Sequence, residues 1–285
     1  MKFFYSHCHV QLSAFDADRE AVLARMREHG VGGVVVGTDL DTSRQAIELA
    51  HRHDFLWASV GLHPNDPSTG STNSLQANSG RVTTDGFDAE AFSELARDER
   101  VVAIGECGLD YSRIHPPKFP NEKEILAGKQ KDRFQEHINV ALKAQKPLVI
   151  HCRPSEGTLD AHQEILSLLG DYSRELENGT LRAVMHFFTS TADMAQKYLA
   201  LGCYISFPCV ITFTDMYDEA VHAVPLNKIL SETDSPFAAP ASYRGRRNEP
   251  IYVEEAVRRI AELKNLPFDE ISAQILRNSR HFFGI

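Results

Sequence analysis

Seven residues that can bind a metal ion or transfer a proton come at or just after the ends of short apolar runs. They are His7, His9, His63, Glu106, His151, His186 and Asp234. Imidazole and carboxylate groups are common ligands of divalent ions, and a carboxylate in a protein interior is costly unless it is paired or metal-bound. One such residue is easily explained as a salt bridge at the end of a strand. Their recurrence after several separate runs indicates a shared site.

The stretch Val101–Asp110 carries the carboxylate expected at the centre of that site. Four apolar residues run into Gly105 and Glu106, and the pattern is interrupted at Gly108. A short apolar run bounded by glycine is typical of a parallel strand that is buried on both faces. The sequence therefore predicts a buried strand over residues 101–106, with Glu106 at its end.

The motif His7-Cys8-His9 ends another predicted strand. Residues two apart on a strand face the same way, so both imidazoles can converge on one point while Cys8 faces away. This is a spacing that metal ligands use, although the motif alone is a weak signal. The same alternation predicts that Cys8, Cys107 and Cys152 are structural residues and not ligands.

The number of candidate ligands limits the kinds of metal site and of reaction that the sequence could support. Four or five imidazoles and two carboxylates exceed the three or four protein ligands of one open zinc site, and they suit two divalent ions with Glu106 between them. Two ions about 4 Å apart can activate a water and stabilise both the attacking and the leaving oxygen. This predicts hydrolysis of a phosphodiester, an amide or an ester. The sequence has no G-x-S-x-G elbow or P-loop to support a serine hydrolase or a kinase.

The elements that must position these residues alternate between strand and helix. Predicted strands cover residues 3–9, 31–37, 56–61, 101–106, 147–150, 183–185 and 204–207, and an eighth begins at 229. Predicted helices cover residues 16–29, 42–53, 87–98, 129–145, 159–169, 191–201, 252–264 and 269–282. Eight alternations match an α/β fold of the (β/α)8 TIM-barrel type, with one domain over residues 1–285 and its site at the carboxyl ends of the strands. Asp66–Gly86, which is polar and nearly free of apolar residues, is predicted to be a mobile surface loop.

The composition is that of an ordinary globular protein. Hydrophobic residues make up 42% of the 285 residues and charged residues 24%, with a net charge of −9. This charge argues against a protein that coats nucleic acid with a basic surface, but not against an enzyme that grips a few phosphates. Five cysteines without a CxxC pair suit reduced thiols. Without a signal-peptide pattern or a long apolar span, we expect a cytoplasmic protein with no membrane partner.

Short motifs are spread in order along nearly the whole chain. They are His7-Cys8-His9, Gly61-Leu62-His63-Pro64, Gly105-Glu106-Cys107-Gly108-Leu109-Asp110-Tyr111, His151-Cys152-Arg153, His186-Phe187, Tyr204-Ile205-Ser206-Phe207, Glu232-Thr233-Asp234-Ser235-Pro236 and Arg246-Arg247-Asn248-Glu249-Pro250. Together they resemble the TatD family of metal-dependent deoxyribonucleases, within the amidohydrolase-like superfamily of barrels. The chain departs from the usual family pattern at Tyr5, Val10-Gln11, Phe187–Ser190 and Pro208, none of which is a candidate ligand.

The resemblance implies a role for each candidate residue. One divalent ion would be held by His7, His9, Glu106 and Asp234, and the other by Glu106, His151 and His186. His63 and Arg153 would contact the scissile phosphate, with Asn248 nearby. We further expect Asp234 to act as the general base, so that Asp234, Glu106 and His63 are the catalytic residues. The metal remains open among zinc, manganese and magnesium.

The leading functional hypothesis is the one that the resemblance implies, a deoxyribonuclease with 3'-5' exonuclease action on single-stranded DNA. An alternative is an enzyme that uses the same site to deacylate an aminoacylated RNA or to open a small cyclic amide. A binding or scaffold protein is a third possibility, and the intact ligand set argues against it. The cluster of Arg244, Arg246 and Arg247 is either part of a phosphate track or a solvated loop. The oligomeric state is left open.

Overall fold

A computed structural model describes residues 1–65, 87–112, 114 and 121–285, and its described strands form one parallel sheet in chain order. The strands are β1 (Phe3–Cys8), β2 (Val31–Val36), β3 (Leu56–Val60), β4 (Val101–Asp110), β5 (Leu148–Arg153), β6 (Ala183–Met185), β7 (Tyr204–Phe207) and β8 (Ile229–Ser231). The segment after β8 returns to the end of β1, where the His9 N–H donates to the Ser235 carbonyl at 2.8 Å. The sheet is thus a nearly closed barrel, which confirms the predicted single-domain (β/α)8 fold.

Helices surround the barrel between and after the strands. They are α1 (Arg19–His29), α2 (Leu40–Arg52), α3 (Ala89–Leu95), α4 (Glu122–Ala144), α5 (Asp160–Gly170), α6 (Ser173–Glu177), α7 (Ala192–Ala200), α8 (Asp218–Ala223), α9 (Val253–Lys264) and α10 (Phe268–Phe283). Local sequence explains several of the boundaries. Gly30 ends α1 at a φ of 68°, and Asp39 and Thr42 form a capping box at the start of α2. Among the residues described, no helix is long and apolar enough to cross a membrane.

The core has two apolar parts separated by the strands. The larger part packs the strands against the surrounding helices. The smaller part takes residues such as Phe4, Val102 and Val149 from different strands and packs them against Phe282 and Phe283 of α10. Alternation along the strands places this second cluster inside the barrel, with α10 closing its amino end. The polar residues are left for the opposite, carboxyl end.

The structure corrects the predicted ends of two strands. β4 continues past Gly108 to Asp110, and β5 continues from Ile150 to Arg153. The two strands pair along this extension, with Gly108 opposite His151 and Asp110 opposite Arg153. Gly108 has a φ of 131°, and a Cβ atom there would collide with the His151 carbonyl. This glycine permits close pairing of the strands and does not end β4.

Other differences concern helices. α4 begins at Glu122, seven residues before the predicted start at Lys129, and the short helices α6 and α8 were not predicted. The remaining predicted elements appear with boundary shifts of a few residues. The predicted mobile loop Asp66–Gly86 lies outside the described residues.

Candidate metal centre

The candidate ligands meet at the carboxyl end of the barrel, around a cavity of about 730 Å³. Residues from six different strand ends line it, namely His9, His63, Glu106, His151, His186 and Asp234. His7 lies behind them and is fully buried. The shared position after strands therefore brings together the residues that the sequence singled out, as the barrel architecture requires.

One oxygen of Glu106 faces the two histidines of β1 and the loop that follows it. Glu106 Oε2 lies 3.3 Å from His7 Nε2 and 3.6 Å from His9 Nε2. These two ring nitrogens are 3.0 Å apart, and Asp234 Oδ1 lies 3.7 Å and 3.4 Å from them. Four candidate ligands thus surround one small volume.

The other oxygen of Glu106 faces a second group of imidazoles. Glu106 Oε1 lies 2.8 Å from His151 Nδ1 and 2.9 Å from His186 Nε2. It also lies 3.4 Å from His63 Nε2. Because its two oxygens point to different groups, Glu106 has the geometry of a carboxylate that bridges two sites.

Hydrogen bonds on the far side of the rings direct lone pairs into the cluster. His9 Nδ1 lies 2.7 Å from the Val36 carbonyl, which can only accept, so a neutral His9 carries its proton there and leaves Nε2 unprotonated. Burial lowers the pKa of His7, which favours its neutral form. The unprotonated Nε2 of a neutral His9 faces Glu106 Oε2 at 3.6 Å and Asp234 Oδ1 at 3.4 Å, and such acceptors repel one another unless a cation lies among them. The donor set therefore fits divalent metal ions.

Two buried carboxylates that the sequence analysis did not select support the second group. Asp110 Oδ2 lies 3.1 Å from His151 Nε2, and Glu232 Oε1 lies 3.2 Å from His186 Nδ1. Each imidazole thus has Glu106 at one nitrogen and a second carboxylate at the other. Burial opposes the charge of Asp110, but hydrogen bonding to His151 lowers its pKa to about 2. Such carboxylates fix the tautomer and orientation of a metal-binding imidazole.

The two carboxylates stand close to candidate ligands in the sequence. Glu232 stands two residues before Asp234, and Asp110 stands four residues after Glu106. Asp110 was missed because β4 was expected to end before Gly108. Glu232 was missed because a residue that contacts a ligand from behind carries no spacing pattern of its own.

His63 is held in the tautomer that suits a hydrogen-bond donor. The Asn65 N–H donates to His63 Nδ1 at 3.1 Å, so the proton of a neutral imidazole lies on Nε2. Burial lowers the pKa of His63 to about 4, which keeps the ring neutral near pH 7. His63 Nε2 is near enough to Glu106 and His151 for these three residues to form a possible metal group as well. The bond from Asn65 favours a role in donating to a substrate oxygen.

The other two expected substrate contacts, Arg153 and Asn248, differ in their exposure. Arg153 is exposed and lines the cavity, where a phosphate could reach it. Asn248 is fully buried, and its Nδ2 donates to the carbonyls of Thr233 and Phe237 at 2.7 Å and 2.6 Å. The Asn248 amide is therefore occupied in holding the loop that carries Asp234, and the expectation that Asn248 lies near the phosphate stays a prediction.

The arginines beyond β8 are partly engaged elsewhere. Arg247 donates to both carboxylate oxygens of Asp18, at 2.6 Å and 2.7 Å. The guanidinium of Arg244 lies over the Phe213 ring, 4.0 Å from its centroid. Arg247 thus anchors a loop to the start of α1, and a phosphate track made of all three arginines has no support.

The cysteines beside the ligands lie apart from the donor groups. Cys8 and Cys107 are fully buried, and Cys107 Sγ lies 3.6 Å from the Val149 carbonyl. Cys152 Sγ lies 3.1 Å from His162 Nδ1. Within the described chain, the groups that could hold a metal contain no cysteine. That these thiols are structural stays a prediction.

Comparison with known proteins gives one consistent family. Residues 4–284 match the sequence model of the TatD-related DNases. An uncharacterized metal-dependent hydrolase of Bacillus subtilis, YabD, is 34% identical over 99% of each chain. A protein of Klebsiella pneumoniae named 3'-5' ssDNA/RNA exonuclease TatD is 32% identical over 96% of this chain and 94% of its own.

A solved structure agrees with the fold. The crystal structure of YjjV, a TatD homologue from Escherichia coli, superimposes with a TM-score of 0.80 at 24% identity, over 100% of this chain and 98% of the other. The barrel, the cluster of imidazoles and carboxylates around Glu106, and the match over nearly the whole sequence lead to the same conclusion. The chain belongs to the TatD-related DNase family and is a metal-dependent hydrolase.

Proposed function

We propose that this protein is a nuclease that removes mononucleotides from the 3' end of single-stranded DNA. The observation that carries the proposal is that His63 and Arg153, two groups able to bind a phosphate, line the same cavity as the candidate metal ligands. The relative from Klebsiella pneumoniae, whose name specifies 3'-5' exonuclease action on single-stranded DNA and RNA, supports the direction and the substrate.

Two divalent ions would be shared among six residues of the cluster. The first would be held by His7, His9, Glu106 and Asp234, and the second by Glu106, His151 and His186. Bound there, the ions would supply Lewis-acid activation of a water and stabilisation of negative charge on the phosphoryl oxygens. Mixed nitrogen and oxygen donors suit zinc and manganese, whereas phosphodiester chemistry often uses magnesium, so all three are to be tested.

The chain's own residues would orient the phosphate and move the protons. His63 Nε2–H would donate to a non-bridging oxygen of the scissile phosphate, and Arg153 would pair with a phosphate charge. Asp234 would accept a proton from the water that attacks phosphorus. The bond from phosphorus to the 3' oxygen of the preceding nucleotide breaks, and that oxygen takes a proton from solvent. The products are a 5'-mononucleotide and a chain shortened by one nucleotide.

The test uses a single-stranded DNA oligonucleotide that carries a label at its 5' end. With metal, we expect a ladder of labelled products shortened one nucleotide at a time from the 3' end, and chelator should abolish it. Release of the label on a mononucleotide would instead show that the protein cleaves from the 5' end. The rate of cleavage of an RNA oligonucleotide of the same sequence shows whether the protein prefers deoxyribose or ribose.

The alternative enzyme is tested in the same preparation. Aminoacylated RNA and a small cyclic amide are incubated with the protein at matched metal concentrations. Metal-dependent release of amino acid or opening of the ring, without any cleavage of the oligonucleotide, would replace the nuclease proposal with the alternative.

A further inference from the structure

Exposed apolar side chains gather on the face of the barrel that carries the metal centre. Among the described residues, seven large hydrophobic side chains are exposed. Five of them lie in the sequence after the carboxyl end of a strand and before or at the start of the next helix: Ile125, Leu159, Phe213, Met216 and Phe237. The remaining two, Met1 and Leu266, lie before β1 and between α9 and α10. This is the face where barrels bind substrates.

Of the two exposed phenylalanines in the described part of the chain, Phe237 is the one that lines the cavity of the candidate ligands. It is 54% exposed, stands three residues after Asp234 and lines the cavity itself. Its ring centroid lies 6.2 Å from that of His9, with the planes at 68°. An apolar ring in this position extends the wall of the metal centre outward.

The backbone that carries Phe237 is held firmly. The Phe237 N–H donates to the Asp234 carbonyl at 2.9 Å, and the Phe237 carbonyl accepts from Asn248 Nδ2 at 2.6 Å. The buried Asn248 thus fixes the backbone of Phe237 relative to Asp234. A ring that is exposed on a fixed backbone is suited to stacking, because little conformational entropy is lost when a planar group lies on it.

The charges of this face can account for only part of its binding to a nucleic acid, which leaves much of the binding to stacking contacts. The chain has a net charge of −9, Arg247 is paired with Asp18, and the Arg244 guanidinium lies on Phe213. Among the described residues, Arg153 is the arginine that lines the cavity. Where few phosphates are neutralised, counterion release contributes little to binding, and contacts to the bases contribute more.

We propose that the ring of Phe237 stacks on the unpaired nucleobase next to the scissile phosphate and so selects single-stranded substrates. The occupant is a base and not a second protein, because the ring lines the same cavity that would hold the scissile bond. A base within a duplex has its faces covered by its neighbours and cannot occupy this position without unstacking. The proposal rests on the proposed nuclease function and adds the residue that recognises the substrate.

The experiment compares two single-stranded oligonucleotides that differ in one base. One is unmodified, and the other has an abasic tetrahydrofuran residue at its 3'-terminal position. For each, kcat/KM for release of the terminal unit is measured with the metal-loaded protein, and the ratio between the two substrates is the readout. Wild-type protein is compared with Phe237→Ala, Phe237→Leu and Phe237→Tyr. Leu266→Ala, at an exposed apolar residue far from the cavity, is the matched control.

A stacked base contributes a factor of about five to a hundred in single-strand binding. We expect the wild-type ratio to lie in that range, to fall to near one in Phe237→Ala and Phe237→Leu, and to be retained in Phe237→Tyr and Leu266→Ala. An unchanged ratio in Phe237→Leu would overturn the proposal, since an apolar contact without a ring would then suffice. Should Phe237→Ala fail to fold or lose metal, Phe237→Leu alone decides.

The outcome for the stacking residue is separate from the outcome for the function. Wild-type protein that cleaves neither oligonucleotide in the presence of metal would remove the nuclease proposal itself. Wild-type protein that cleaves both with a ratio of one would leave the nuclease in place and overturn the role of Phe237.

Discussion

At the scale of single residues, Glu106 lies between the two groups of candidate metal ligands. One of its oxygens faces His7 and His9, and the other faces His151 and His186. Burial alone would raise the pKa of this carboxyl, but the surrounding imidazoles lower it well below its usual value. A charged, buried carboxylate between four ring nitrogens is stable only if positive charge is shared with it.

Glu106→Gln and His63→Ala should differ in metal content. The amide of Glu106→Gln cannot bridge two cations, so elemental analysis should show the loss of at least one ion and turnover should be abolished. His63→Ala removes a hydrogen bond to a charged group, which contributes about 1.5–3 kcal/mol, and turnover should fall roughly ten- to a hundredfold with metal retained. Loss of metal from His63→Ala would show that His63 is a ligand.

Asp234→Asn tests the proton acceptor. Asp234 has a φ of 53°, a conformation that asparagine tolerates well, so the loop should keep its shape. Because the amide keeps one donor oxygen but cannot take up a proton, turnover should fall by about 10²–10⁴-fold, while the ion at Glu106, His151 and His186 stays bound. Near-normal turnover in fully loaded Asp234→Asn would leave Asp234 as a ligand only.

Glu232→Gln tests whether Glu232 orients His186 by contacting the ring nitrogen on the side away from Glu106. The amide oxygen of this variant could still accept from His186 Nδ1, but it would lack the charge that makes His186 a stronger donor. We expect metal affinity, measured by competition with a chromophoric chelator, to weaken by about tenfold or more. Glu254→Gln, which neutralises an exposed carboxylate on α9, is the control. Equal affinity in both variants would limit Glu232 to a structural role.

At the scale of elements, α4 supports the segment that carries His63. His137 on this helix is fully buried, and its Nε2 accepts the Leu62 N–H at 3.0 Å. Its Nδ1–H donates to the Arg133 carbonyl at 2.7 Å. One side chain thus joins the helix to the residue before His63, and it can do so only while the imidazole is neutral.

His137 should make the fold sensitive to acid. Burial lowers its pKa to about 4, below the value of about 6.5 in an unfolded chain. Between these values the unfolded chain binds a proton that the folded chain does not, so stability is complete above about pH 6.5 and is lost as the pH falls toward 4. One such group changes the free energy of unfolding by about 1.4 kcal/mol per pH unit.

The measurement is urea unfolding at several pH values between 7 and 4. The slope of unfolding free energy against pH should be smaller in His137→Gln than in wild type, by the amount that corresponds to about one proton. The reason is that glutamine can still accept the hydrogen bond from Leu62 but does not titrate. His281→Gln, on the surface of α10, should keep the wild-type slope. An unchanged slope in His137→Gln would show that His137 is protonated in the folded protein.

At the scale of the whole molecule, the barrel collects donors from strands that are far apart in sequence. Closure between β1 and the segment after β8 brings Asp234 to His7 and His9, more than 200 residues away in the chain. The candidate ligands thus come from both ends of the chain. An ion held by these residues would tie the first strand to the segment after the last, so we expect metal binding and barrel closure to be coupled.

Metal should therefore stabilise the folded protein. At a metal concentration a hundred times its dissociation constant, the gain in unfolding free energy is about 2.7 kcal/mol for one site. We expect zinc or manganese to raise the melting temperature of chelator-treated protein, and the rise to be much smaller in Glu106→Gln. Equal rises in the two proteins would place the stabilising ion elsewhere.

The residue types at the ends of the strands were predictable from the sequence alone. Apolar runs bounded by glycine, the spacing of His7 and His9, and the polar residues after each run are local patterns, and local patterns predict strands and the direction of side chains. The barrel and the cluster of candidate ligands followed from them. The family resemblance assigned the ligands to two ions, which remains to be tested by metal analysis.

The partners behind and beside the candidate ligands are set by the closed barrel. Asp110 joins His151 because pairing with β5 extends β4 past a glycine, and the Asn248 amide binds carbonyls of the loop that follows Asp234. Arg247 is paired with Asp18, which lies 229 residues away in the chain. These outcomes depend on partners that meet only when the barrel closes, so no local pattern in the sequence encodes them.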